Sequence, residues 1–269
     1  MSFSSRGEMR SCENANWPCK STLSFEESIM TQRTFLITGA SKGIGRALSE
    51  RLARAGHQVV GIARRTDDPT FPGTLVSIDL ADRDATDKGL RELTSRYAFD
   101  GVVNNMGFVK LARLGEIELD DLDRTFSTNL APAVQTAQAL LPNMKEKGWG
   151  RIVNLSSLVV LGVAQRSTYA AAKSAMISFT RTWALELADS GITVNSVAPG
   201  PTETEMFREN TPVGSEAEKR FLSLVPMKRL GKPDELAASV EFFLSEPAGF
   251  ITGQTLYVDG GASIGKAAI

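Results

Sequence analysis

TFLITGASKGIGRA, residues 34–47, decides how the chain is read. Its first six residues, TFLITG, form an apolar run of the kind that makes a buried strand. Glycines follow at 39, 43 and 45, a G-x-x-x-G-x-G spacing, and a helical pattern runs over 43–55. Glycine permits a tight turn and lets backbone approach a ligand closely. The helix presents unpaired N–H groups and the positive end of its dipole, which together suit a pyrophosphate. Taken alone, the glycines could equally make an ordinary turn. A strand before them and a helix after them supply the context that a dinucleotide-phosphate loop requires.

Working outward, the alternation continues. Strand-like runs are QVVGIA (58–63), TLVSIDL (74–80), DGVVNN (100–105), RIVNLSS (151–157), TVNSVAP (193–199) and TLYVDGG (255–261), and helical patterns cover about 82–97, 118–147, 168–189 and 233–245. Such alternation implies right-handed crossovers and a parallel sheet covered on both faces. The expected fold is therefore a single α/β domain over 33–269: a Rossmann-like, doubly wound, seven-stranded parallel sheet with helices on both faces. Ligands bind such sheets beyond the carboxyl ends of the strands. The least regular interior stretch, 201–231, has the length and charge of a mobile lid.

Composition narrows the function. The 269 residues are 42% hydrophobic and 23% charged, with net charge −1. That balance argues against nucleic acid or an anionic membrane as the main partner. No apolar stretch approaches the roughly 20 residues of a membrane span. His57 is the single histidine, so neither a histidine metal cluster nor a Ser/His/Asp triad is expected, and no metal is. Cys12 and Cys19 both lie in the first 20 residues, leaving the body without a disulfide or thiolate site. Residues 1–32 show no sustained period and read as a disordered extension, or as an over-called start with Met30 as the working one. They lack the apolar core of a secretory signal, and the expected location is cytoplasmic.

After the second strand-like run come Arg64 and Arg65. An NAD site usually has an acidic residue there for the ribose 2′-OH, whereas arginine suits a 2′-phosphate. Asp and Glu are absent from 58–66, and Lys42 adds a further cation inside the glycine loop. NADP is expected over NAD.

STYAAAKSA, residues 167–175, places Tyr169 and Lys173 four apart, on one face of a helix. With the glycine loop, NNMG at 104–107 and NLSS at 154–157, this set resembles the short-chain dehydrogenase/reductase family. VNSVAPGPTETEM (194–206) and ITGQTLYVDGG (251–261) extend the resemblance over about 32–265, with the flavour of 3-oxoacyl-carrier-protein reductases. The resemblance implies hydride transfer between a nicotinamide and a ketone or secondary alcohol, with a 3-oxoacyl or related small apolar carbonyl compound as substrate. It makes Tyr169 the general acid, with Lys173 lowering its pKa and holding the nicotinamide ribose. A serine of NLSS holds the carbonyl oxygen, and Asn129 supports a proton relay through water. It assigns the cofactor to Gly39, Ser41, Lys42, Gly43, Ile44 and Gly45, to Asp79 and Leu80 beside the adenine, to Asn105 and Gly107, and to Pro199, Gly200, Thr202 and Thr204 around the nicotinamide. A homotetramer is implied, with close packing of helix 168–189 through Ala171, Ala172, Ala175 and Ala184.

Two departures stand out. NNMG replaces the common NNAG, and 12 positions separate Ser157 from Tyr169 where many relatives have 13. Counting back from the tyrosine selects Ser156. Counting forward along the strand selects Ser157, which we prefer because strand register is fixed by packing while a loop absorbs a deletion. Leu158, Val159, Leu161 and Val163 suggest an apolar pocket wall or core, and Phe207, Phe221 and Leu222 give the lid an apolar face. The competing function is a silent NADP-binding regulator. A sugar epimerase or dehydratase ranks lower, because only about 70 residues follow Gly200.

Overall fold

The computed structural model describes residues 31–265. Cys12, Cys19, Met30 and the expected extension up to residue 30 lie outside them.

β1 (Thr34–Thr38) shows how the sheet is buried. Successive strand side chains point to opposite faces. Phe35 and Ile37 join one core, with Leu48 and Leu52 of α1 (Gly43–Arg54) and Leu236, Val240 and Phe243 of α7 (Pro233–Leu244). Leu36 joins the other, with Leu90 and Leu93 of α2 (Arg83–Arg96), Leu140 and Met144 of α3 (Leu119–Lys147), and Ala184 of α4 (Ser167–Glu186). Both faces of the sheet are therefore covered.

The remaining strands are β2 (Gln58–Ala63), β3 (Thr74–Ser77), β4 (Gly101–Asn104), β5 (Gly150–Leu155), β6 (Ile192–Pro199) and β7 (Thr255–Val258). All pair in parallel, in the order β3-β2-β1-β4-β5-β6-β7. The order reverses between β1 and β4, and the crevice above such a switch point is where a dinucleotide binds. The expected seven-stranded, doubly wound sheet is the observed one.

Differences lie at element ends. β3 stops at Ser77 because Asp79 turns the chain, its carboxylate accepting from Ala81 N at 3.0 Å. β5 stops at Leu155, since residues 158–161 coil into a short 3-10 helix that the Ser157 side chain caps. β7 stops at Val258, where the Asp259 carboxylate accepts from Gly261 N (2.9 Å) and Ser263 N (2.6 Å). The irregular stretch 201–231 contains two short helices, α5 (Glu205–Asn210) and α6 (Glu216–Leu224). Arg208 clips them together, hydrogen bonding to Glu203 before α5 and to Glu218 on α6.

A buried polar ladder crosses the middle of the sheet. Thr136 of α3 donates to Asn104 Oδ1 (2.7 Å), Asn104 Nδ2 to Asn154 Oδ1 (2.8 Å), and Asn154 Nδ2 to Thr180 of α4 (2.9 Å). Asn104 and Asn154 face each other in the β4–β5 register. The ladder ties two helices to the strand ends just below the site, and a buried polar group left without its partner costs about 1–3 kcal/mol. Asn154→Ala strands two partners at once. We expect it to remove about 2–4 kcal/mol of stability, read as a fall in Tm by thermal unfolding. An unchanged Tm would mean that water replaces the lost amide.

Candidate active site

The glycine loop closes the carboxyl end of β1. Gly39 and Gly43 hold φ of 64° and 52°, a left-handed region that glycine enters freely. Gly45 is needed for a different reason: a Cβ there would sit 2.3 Å from Gly39 O and 2.7 Å from Asn105 Nδ2. Asn105, just past β4, fastens the switch point by donating to Thr38 O (3.0 Å) and Gly39 O (3.1 Å). α1 starts at Gly43 behind Lys42, with no side-chain cap and no acidic residue in its first turn. Its first N–H groups thus keep the partnerless state that an anion satisfies. Ser41 and Ile44 are partly buried in the same turn, and Ile44 packs on the core beneath. These features fit a dinucleotide pyrophosphate.

Arg64 and Arg65 follow β2 on the exposed surface, and among the described residues neither pairs with a carboxylate. The nearby Asp68 is already engaged by Arg46 and by Thr70. Asp79 is exposed, with one oxygen committed to its turn. Leu80 differs from the expectation of a residue beside the adenine: its side chain is buried in the core with Leu90 and Leu93, so only its backbone could flank a ligand.

On the other side of the crevice, Pro199 and Gly200 end β6. A Cβ on Gly200 would meet Asp259 at 2.6 Å, which keeps this turn tight against the end of β7. Thr202 is buried and donates to Gly200 O at 2.9 Å. Thr204 caps α5 and lies against the glycine loop, its methyl 3.1 Å from where a Gly43 Cβ would be. The base of the lid and the phosphate loop therefore meet.

The catalytic candidates converge on Gly107. A Cβ at that glycine would lie 3.6 Å from Asn129 Oδ1, 3.7 Å from Lys173 Nζ and 3.8 Å from the Tyr169 hydroxyl. Lys173 is buried, and its Nζ donates to Leu155 O at 2.8 Å. The Asn129 amide is firmly held: Nδ2 donates to Thr125 O and Phe108 O, both at 2.8 Å, and Oδ1 accepts from Phe108 N at 3.2 Å. It fixes the 107–108 backbone, and Oδ1 keeps a second lone pair facing the site. The two serines divide. Ser156 is buried, and its hydroxyl donates to Lys173 O at 2.9 Å. Ser157 is partly exposed; its hydroxyl accepts from Val159 N at 3.4 Å and lies near enough to the Tyr169 phenol to act on it.

Burial pushes the Tyr169 phenol up to about 12; the Arg166 charge and then the Ser157 hydroxyl pull it back by less. Burial also drives the Lys173 ammonium down to about 8. Lys173 Nζ lies 5.7 Å from the Tyr169 ring centre and donates to the Leu155 carbonyl, and Arg166 is a second cation whose charge acts on the phenol. Tyr-x-x-x-Lys spacing announces one cation, and nothing in the pattern announced the second. The suspected pocket wall also splits: Val159 is core, while Leu161 is 56% exposed. His57 is structural, its Nδ1 accepting from Arg33 N and its ring edge-on to Phe35.

Comparisons with known proteins fit this site. A family model described as enoyl-(acyl carrier protein) reductase matches residues 39–263. The 3-oxoacyl-[acyl-carrier-protein] reductase of Vibrio harveyi is 37% identical over 235 residues, covering 84% of this chain and 95% of that protein. Among solved structures, a putative gluconate dehydrogenase from Agrobacterium tumefaciens superposes with a TM-score of 0.80 at 30% identity, over 86% of this chain and 96% of that one. ElxO with NADP bound gives a TM-score of 0.80 at 28% identity, over 86% and 98%. With a match spanning nearly all of the described sheet and Tyr169, Lys173, Asn129 and Ser157 gathered at its switch point, the chain belongs to the short-chain dehydrogenase/reductase family and is an NAD(P)-dependent oxidoreductase.

Proposed function

We propose that the protein is an NADP-dependent reductase of ketones, acting on a 3-oxoacyl or related small carbonyl substrate. The observation that carries this reading is the convergence of Tyr169, Lys173 and Asn129 on Gly107 beside the dinucleotide crevice. The substrate class is supported by the Vibrio harveyi relative, a 3-oxoacyl-[acyl-carrier-protein] reductase.

When bound, NADPH supplies a hydride to the carbonyl carbon. Tyr169 gives its proton to the carbonyl oxygen, and Ser157, beside the phenol, holds that oxygen as charge builds on it. Lys173 and Asn129 fix the floor of the site. A phenol pushed up to about 12 is protonated at neutral pH, the state a proton donor needs. Phe207 and Phe221 pack edge to face in the lid, their ring centres 5.3 Å apart. No metal takes part in this scheme.

The preference for NADP is supported by Arg64 and Arg65 after β2, which pair with no carboxylate among the described residues, and by the neighbour ElxO, solved with NADP bound. Arg64→Ala or Arg65→Ala is expected to weaken NADPH about 10–150-fold, from the loss of a charge-assisted bond to the 2′-phosphate, and to leave NADH nearly unchanged. Fluorescence titration of both dinucleotides checks this; equal losses for the two would remove the 2′-phosphate argument. Turnover itself is tested by NADPH oxidation across 3-oxoacyl thioesters, cyclic ketones, sugars and steroids. Binding without oxidation of any of them would favour the silent regulator.

A homotetramer in the cytoplasm belongs to the same proposal. Its support is the exposed apolar surface on α4 and the edge strand, where Leu185 is 81% and Leu256 is 41% exposed. The alanines contribute less than the sequence suggests: Ala172 and Ala184 are buried within the fold, leaving Ala171 exposed for a partner. Among the described residues no helix is long and apolar enough to cross a membrane.

A further inference from the structure

Beyond the pull of its charge on the Tyr169 phenol, Arg166 has no partner in the site described so far. It stands three residues before Tyr169, at the N-cap of α4. Its guanidinium carbon lies 5.9 Å from the centre of the Phe221 ring on α6, so it bridges the start of the catalytic helix and the lid. The backbone beside it is held in an uncommon state. Gln165 takes a left-handed φ of 67°, its carbonyl accepts from Ala112 N at 3.0 Å, and Ala112 and Arg166 form a parallel bridge. Such a φ at a non-glycine residue persists only where the surroundings impose it.

Neighbouring arginines show what Arg166 lacks. Arg208 bonds to Glu203 and Glu218, and Arg229 to Glu235. Among the described residues Arg166 pairs with no carboxylate; Tyr169 is the one ionisable group felt by its charge, and partial burial works against that charge. A guanidinium drawn partly out of water is stabilised by an anion, and its planar fork matches a carboxylate with two parallel hydrogen bonds. Phe221 and Tyr169 beside it provide no such anion.

We propose that Arg166 is a specificity-determining residue that pairs with a carboxylate on the substrate. Preferred substrates are then short oxo acids, whose carbonyl lies a few bonds from the acid group, over the corresponding neutral esters. The inference rests on the ketone-reductase reading above. In the reaction so defined the carbonyl carbon gains the hydride of NADPH, which leaves as NADP⁺, the oxygen gains the Tyr169 proton, the phenol is reprotonated from water, and the carboxylate is unchanged.

The test uses the full chain with NADPH on a matched pair, 3-oxobutanoate and its ethyl ester. Arg166→Gln changes the phenol for both substrates alike, so the readout is the ratio: kcat/KM for the acid is expected to fall about 10–100-fold more than kcat/KM for the ester, and Arg166→Lys should recover part of that difference. A loss shared equally by acid and ester overturns the inference, because it assigns Arg166 to the phenol or to the fold. A second arm needs no turnover: equilibrium binding of 3-hydroxybutanoate and of 3-hydroxybutanamide to the NADP-loaded protein. Tighter binding of the acid that vanishes in Arg166→Gln supports the carboxylate site, and equal binding in the wild type overturns it. Acid-selective, Arg166-dependent binding with no oxidation of NADPH by either substrate would instead sink the reductase reading and leave the carboxylate site standing.

Discussion

Tyr169→Phe lowers kcat by about 10²–10⁴ if the phenol is the proton donor. The substitution keeps the ring that packs beside Lys173 and removes one hydroxyl, which Ser157 neighbours. Neither core cluster contains Tyr169, so the fold survives. Dinucleotide affinity is largely retained, since the glycine loop and the uncapped start of α1 are untouched. Steady-state NADPH oxidation, with dinucleotide binding measured on the same preparation, separates chemistry from binding. Near-wild-type kcat would remove the mechanism.

The serines give the second large effect, and they act in opposite ways. Ser157→Ala should reduce kcat about 10²–10³, as expected when a donor to the developing oxyanion is lost. Ser156→Ala should leave kcat close to wild type and instead cost about 1 kcal/mol of stability, because its buried hydroxyl ties β5 to the Lys173 carbonyl on α4. Kinetics and thermal unfolding on both variants separate the two roles. The reverse pattern would move the oxyanion role to Ser156 and place the one-residue deletion elsewhere in the loop.

Much of this was legible in the sequence because parallel strands buried on both faces leave a strong trace. TFLIT, QVVGIA and RIVNL are apolar runs whose neighbours all lie inside. The glycine loop was legible for a steric reason, since at Gly45 any side chain collides with Gly39 and Asn105. Strand ends were less so. Asp79 and Asp259 stop β3 and β7 through side-chain hydrogen bonds to backbone a few residues on, while apolar pattern continues through Ile78 and Leu80. The Asn104–Asn154 ladder had a signal, an asparagine at the end of each of two apolar strands, but pairing depends on register, which the chain alone does not display. Arg166 carried no signal: its importance comes from the lid ring above it and from the absence of a carboxylate near it among the described residues, both tertiary facts. The Lys173 hydrogen bond to the Leu155 carbonyl carried no signal for the same reason, because that partner comes from β5.

The central claim is hydride transfer to a carbonyl at the site around Gly107. It is tested most directly by following the label. The full chain is incubated with 3-oxobutanoate or its ethyl ester and NADPH carrying deuterium at both C4 positions, and the product is analysed by mass spectrometry. The account predicts a hydroxy product with one deuterium on the carbinol carbon, formed by the wild type and nearly absent with Tyr169→Phe. Product without deuterium, or labelled product formed equally well by Tyr169→Phe, would contradict it.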